Sequence, residues 1–191
     1  YEKIKMRINL FFGVIISLFL FVGCGSMGGG SHRGKLYRSF YFKEGGLKYF
    51  IKPMKFKGED AELLVDFNIE SVKGNIAVVN FSIFHEKPLK KLSSFEISNP
   101  DTSIKAGEIE SMFVELESNN EYESRFTSHI PNSGLKHIFQ NQHWTIKAVE
   151  AKTKLEFEPK RSTEKNIEKI NYQKEIRFPF GIFFLINSKI R

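Results

Sequence analysis

Side chains able to do acid–base, metal or nucleophilic chemistry are present in this chain, but not at the spacings such chemistry needs. The five histidines are His32, His85, His129, His137 and His143. No two are four apart, the spacing that sets two ligands on one helix face. His85-Glu86 opens like the zinc motif H-E-x-x-H, but Leu89 stands where the second histidine belongs and Pro88 would break the helix. Carboxylates recur two apart as Glu108/Glu110, Glu115/Glu117 and Glu121/Glu123, which puts each pair on one face of a strand. A glycosidase uses two carboxylates roughly 5–9.5 Å apart across a cleft; a solvated sheet face explains the same spacing more cheaply. No G-x-S-x-G turn lifts a serine beside a base. Residues 29–36, GGSHRGKL, nearly spell a phosphate-binding loop, yet Leu36 replaces the hydroxyl that would hold magnesium. These patterns support no catalytic residue, no metal and no cofactor, and an enzyme is left without residues to carry it.

The one cysteine, Cys24, is different. Lys3, Lys5 and Arg7 precede a run of apolar residues from Leu10 to Val22, and a small residue, Gly23, follows it. A basic start, an apolar stretch and a small residue before a cut are the parts of a secretory signal. At about 1.5 Å per residue the run reaches roughly 20 Å, short of the roughly 30 Å of a bilayer core. Met6 is the expected start, with residues 1–23 removed. Phe21-Val22-Gly23-Cys24 resembles the lipobox of bacterial lipoproteins, with Phe21 where leucine is usual. The relaxed form, and a composition rich in Lys, Ile, Phe and Asn, are similar to those of spirochaete outer-surface lipoproteins. The resemblance implies a diacylglyceryl group on the Cys24 thiol, cleavage before it, and a further acyl chain on the freed amine. Two or more chains anchor stably, since each buried methylene contributes about 0.8 kcal/mol. Residues 24–34 then form a lipidated Gly/Ser-rich tether, whose ten residues after the cysteine span roughly 17 Å on average. Gly25, rather than Asp, follows the cysteine, so by the same resemblance nothing retains the chain at the inner membrane. The outer membrane, in its surface or periplasmic leaflet, is the expected location.

Charge is distributed unevenly. The chain carries a net +7. Residues 35–57 hold Lys35, Arg38, Lys43, Lys48, Lys52, Lys55 and Lys57 against Glu44 alone, among Tyr37, Phe40, Tyr41, Phe42, Tyr49, Phe50 and Phe56. Basic residues interleaved with aromatics bind polyanions, because charge attracts and rings add contact area. Lys43, Lys48, Lys52, Lys55 and Lys57 are the candidate binding residues. On an exported protein the partner would be a sulfated glycan, an anionic lipid or a protein, and no nucleic acid is expected. Lysines on an edge strand also deter sheet-to-sheet aggregation, and that is the competing explanation.

The elements that must position these residues are mostly strands. Leu36–Lys43 and Leu47–Lys57 are aromatic-rich runs split by Glu44-Gly45-Gly46, a hairpin break. Leu63, Val65, Phe67 and Ile69 alternate with polar neighbours, and Ala77, Val79, Phe81 and Ile83 repeat the pattern after Lys73-Gly74-Asn75. Further runs lie at Ser94–Ile97, Ser111–Glu117, Tyr122–His129, Thr145–Glu150 and Lys154–Glu158. Leu135, Ile138 and Phe139 have helical spacing behind a cap at Asn132 or Ser133, and Ile167 and Ile170 behind a cap at Ser162. From Glu175 the tail holds Phe178, Pro179, Phe180 and Ile182–Ile186, read as a last edge strand because Pro179 cannot donate to a ladder. The expected fold of residues 35–191 is therefore mainly β, an antiparallel sandwich or barrel-like single domain with one or two short helices. The expected function is that of a membrane-anchored, non-catalytic binding module. A periplasm-facing structural or envelope-assembly component and an envelope hydrolase are the alternatives.

Overall fold

A computed structural model describes residues 35–41, 46–70 and 75–172. The signal segment with Cys24, the tether, Lys43 and the tail from Glu175 lie outside them. Ten strands and two short helices follow in order: β1 (Tyr37–Tyr41), β2 (Leu47–Lys57), β3 (Ala61–Glu70), β4 (Ile76–His85), β5 (Ser94–Ser98), β6 (Ser103–Lys105), β7 (Glu110–Leu116), β8 (Tyr122–Pro131), α1 (Asn132–Ile138), β9 (Thr145–Glu150), β10 (Thr153–Pro159) and α2 (Arg161–Tyr172). All pairings are antiparallel, in the order β6-β5-β9-β10-β2-β3-β4-β8-β7, with β1 beside β2. The expectation of a mainly β, barrel-like fold holds: the sheet curls into a half-barrel.

Alternation drives the curl. Leu63, Val65, Phe67 and Ile69 on β3 and Ala77, Val79, Phe81 and Ile83 on β4 are all buried. Each such side chain contributes about 1.5–3 kcal/mol when removed from water, which fixes one face of the sheet inward. Across the core, Phe81 of β4 stacks on Phe95 of β5 with centroids 3.8 Å apart. That contact joins strands from opposite halves of the curled sheet.

The bend itself is written in β2. Its register against β3 slips by one between Ile51 and Met54, leaving Lys52 and Pro53 in a bulge. Before the bulge β2 pairs with β1, ending where the Lys52 N–H donates to the Leu36 carbonyl at 2.9 Å. After it, β2 pairs with β10 at Phe56 and Lys57. Pro53, with no N–H to offer, sits where the strand changes partners, a position that tolerates it. Gly58 closes the corner. A Cβ there would lie 2.8 Å from the backbone oxygen of Glu156 and 3.2 Å from Phe157. Gly58→Ala is expected to destabilise by about 1–3 kcal/mol, since a backbone oxygen cannot move aside cheaply. A urea midpoint unchanged by this substitution would place β10 farther from the corner than described.

Both helices start differently from the sequence expectation. Pro131, in an extended conformation and with no side-chain capping bond, takes the N-cap position of α1. Asn132 is fully buried instead, its N–H donating to the Asn75 carbonyl at 2.6 Å. Ser133 is a helical residue. On α2 the Lys160 carbonyl accepts the Thr163 and Glu164 N–H groups, so Ser162 lies within the first turn rather than capping it. The strand β10 runs straight into the helix, which leaves no loop for a capping side chain. Thr163, Ile167 and Ile170 form the buried stripe, and the Thr163 hydroxyl donates to the Lys55 carbonyl at 2.7 Å.

Candidate functional site

The β1–β2 hairpin places its residues by register. Arg38 lies opposite Phe50 and Phe40 opposite Lys48. Directly opposed residues share a face of the sheet, and the buried Tyr37, Tyr49 and Ile51 occupy the inner one. Arg38, Phe40, Lys48, Phe50 and Lys52 therefore stand together on the outer face. Phe40 is 52% exposed and Phe50 36%; their rings meet edge to face at 5.5 Å. Lys48 holds its ammonium 5.4 Å from the centre of the Phe50 ring and 3.0 Å from Glu70 on β3. Tyr41, at the end of β1, is 84% exposed. Arg38 and Lys52 have no carboxylate partner among the described residues, so two of the three cations here are unpaired.

The bulge divides the lysines that the sequence groups together. Lys55 and Lys57 lie beyond it, beside Glu62, which bonds both Lys55 and, at 3.0 Å, Lys160. The Lys55 ammonium, then Lys160, hold the Glu62 carboxyl below its ordinary range, against the opposing effect of burial. Glu59, Asp60, Glu156 and Glu158 surround the same corner. The positive field is thus kept at the β1 end and neutralised at the β10 end. Arg38 and the two exposed phenylalanines belong to the site although sequence spacing did not single them out. Hairpin register would have found them, since it sets Arg38 against Phe50.

A separate cleft of about 410 Å³ lies where β5, β9, β10 and α2 meet, lined by Asn99, His143, Thr145, Glu158 and Glu164 among others. Trp144 forms its floor: buried, it donates its indole N–H to the carbonyls of Ile138 at 3.0 Å and Asn141 at 2.7 Å. His143 Nδ1 stands 3.3 Å from Glu164, with its side chain 63% exposed. Ser98, at the rim, donates its hydroxyl to the Thr145 carbonyl at 3.0 Å rather than to a base. The other histidines are dispersed: His85 accepts the Lys87 N–H in a turn, His129 is exposed on β8, and His137 meets Gln140. Among the described residues no three of His, Cys, Asp and Glu gather to hold a metal.

The paired carboxylates crowd the β7–β8 hairpin, where Glu115 lies directly across from Glu123. Glu115 is exposed and Glu123 half-buried, on strands whose solvated face the spacing suggested. They do not line the cleft around His143. The geometry leaves the outer face of β1 and β2 as the strongest candidate for binding. No family model, curated protein or solved structure matches the chain.

Proposed function

We propose that this protein is an exported, lipid-anchored, non-catalytic binding module that meets a polyanionic partner through the outer face of β1 and β2. The observation that carries the reading is the grouping of Arg38, Lys48 and Lys52 with two exposed phenylalanine rings on one face. The anchor rests on the apolar run that ends at Gly23-Cys24. No helix of the described residues is long and apolar enough to cross a membrane, and acyl chains on Cys24 would supply the attachment. Gly25 supports outer-membrane placement, because by resemblance to lipoprotein sorting it carries no signal for retention at the inner membrane.

Two measurements test the two halves. Metabolic labelling with a fatty acid should mark the protein, and Cys24→Ala should abolish the label and leave an uncut precursor; label retained by the variant removes the anchor. For the face, heparin serves as a generic polyanion. Exposed charges act over about 30 Å at 0.01 M salt but only about 8 Å at 0.15 M, so retention should fall steeply with salt. Replacing Arg38, Lys48 and Lys52 with Gln should remove most of it. Lys55→Gln and Lys57→Gln should remove little, because both sit among carboxylates. Equal losses from the two sets would show that the bulge does not divide the site.

A further inference from the structure

The outer face of β1 and β2 is joined to the proposed lipid by a short piece of chain. Between Cys24 and Lys35, the first described residue, lie ten residues. Fully extended, they reach roughly 35 Å, and on average about half that. β1 begins at Tyr37, two residues further on. Of all the strands in the fold, β1 is therefore the one tethered closest to the bilayer, and a short tether gives a surface a high effective concentration at β1.

What β1 brings to that surface is suited to it. Three cations, Arg38, Lys48 and Lys52, share the face with Glu70, while Asp66, across from the bulge, is already held by Arg125. Phe40 and Phe50 are the exposed aromatics beside them. With the two phenylalanine rings edge to face and Lys48 over Phe50, they offer apolar area rather than an open flat pair on which a sugar ring would stack. Aromatic side chains settle at the boundary between headgroups and acyl chains, and basic ones beside anionic headgroups. Farther along the same outer face the character changes. Asp66, Asn80, Ser82, Arg125 and Thr127 satisfy one another by hydrogen bonds across β3, β4 and β8. That part of the sheet has little charge left to offer.

We propose that the polyanion met by this face is the anionic lipid surface itself: the fold lies with β1 and β2 against the bilayer, Arg38, Lys48 and Lys52 at the headgroups and Phe40 and Phe50 in the interface. This rests on the reading of an anchored binding module and names its partner. The acyl chains hold the protein to the membrane, and the face sets which side of the sheet is turned toward it.

The test separates the face from the anchor. The mature chain from residue 24, carrying Cys24→Ala and so no acyl group, is sedimented with vesicles of phosphatidylcholine alone or mixed with phosphatidylglycerol. Each basic residue near an anionic surface is worth roughly a fivefold gain in partitioning. The protein should therefore favour the anionic vesicles by at least about tenfold, and lose that preference in high salt or when Arg38, Lys48 and Lys52 become Gln. Phe40→Trp then reports depth: its emission should shift to the blue and be quenched by brominated acyl chains. Trp144, buried in the core at 1% exposure, supplies a constant background. Phe40→Ser with Phe50→Ser, both at exposed positions, should weaken sedimentation. Retention by heparin without preference for anionic vesicles overturns the proposal in favour of a glycan. So does sedimentation in which the tryptophan at position 40 stays unquenched. Failure of fatty-acid labelling, by contrast, removes only the anchor, because the acyl-free chain does not depend on it.

Discussion

Replacing Trp144 with Ala is expected to destabilise the fold by about 3–5 kcal/mol, the range for a large aromatic deleted from a core. Trp144 is 1% exposed. Its ring meets Phe139 at 4.9 Å, Phe56 at 6.0 Å and Phe67 at 6.2 Å, and so ties the start of β9 to β2 and β3. The indole N–H also donates to Ile138 and Asn141, closing the segment between α1 and β9. Truncation loses the transfer energy, opens a cavity lined by rings that cannot collapse into it, and frees two carbonyls. Trp144→Phe keeps most of the apolar volume and loses the donor, so its cost should be nearer 1–3 kcal/mol, the cost of leaving buried polar groups unmade. The measurement is urea unfolding followed by circular dichroism, since the substitution removes the chain's only tryptophan fluorophore. Small domains are stable by about 5–15 kcal/mol, so Trp144→Ala would consume at least about a fifth of the total. A loss below about 1 kcal/mol at an unchanged slope would mean that the ring cluster does not hold β9 in place.

How far the sequence foretold this core can be argued strand by strand. On β3 and β4, strict alternation named every buried apolar residue from Leu63 to Ile69 and from Ala77 to Ile83. Period two is a local property, and one buried face is enough to reveal it. β6 escaped notice because Ser103–Lys105 places a single residue, Ile104, inward, and one residue has no period. The helix caps were misjudged because Asn132 is drawn into the core and Ser162 follows a strand with no loop between them. Capping preferences are local, and tertiary packing overrode both. The face of β1 and β2 was half legible. The sequence showed basic and aromatic residues together, but the slip at Lys52-Pro53 decides which lysines stand beside Arg38 and the two phenylalanines. Beyond that slip β2 pairs with β10, which arrives from about a hundred residues away and which no local spacing records. The pairing of His143 with Glu164 is hidden for the same reason.

The polar cluster on the outer face of β3, β4 and β8 gives the second large effect. Arg125 donates to Asp66 at 3.0 Å and to Ser82 at 2.9 Å, while Asn80 donates to Asp66 at 2.8 Å. Asp66 has 16% of its side chain exposed and Arg125 27%, and Ser82 is fully buried. Breaking a buried ion pair from one side costs about 3–5 kcal/mol; partial exposure here lowers the expectation for Arg125→Ala to about 2–3 kcal/mol. Asp66→Ala should cost less. The arginine stem is long and its guanidinium already reaches solvent, so it can turn outward and hydrate, whereas Asp66 on its short side chain has nowhere to go. The double substitution Asp66→Ala with Arg125→Ala should then cost less than the sum of the two, by a coupling of about 1–2 kcal/mol. Urea midpoints of the four proteins in one buffer complete the cycle. Equal costs for the two single variants would contradict the asymmetry. Additive costs would mean that the two charges are held separately, Asp66 by Asn80 and Arg125 by Ser82. In that case the cluster would be a set of independent cross-strand hydrogen bonds, each worth about 1 kcal/mol, and its near-neutral face would owe nothing to the pairing of charges.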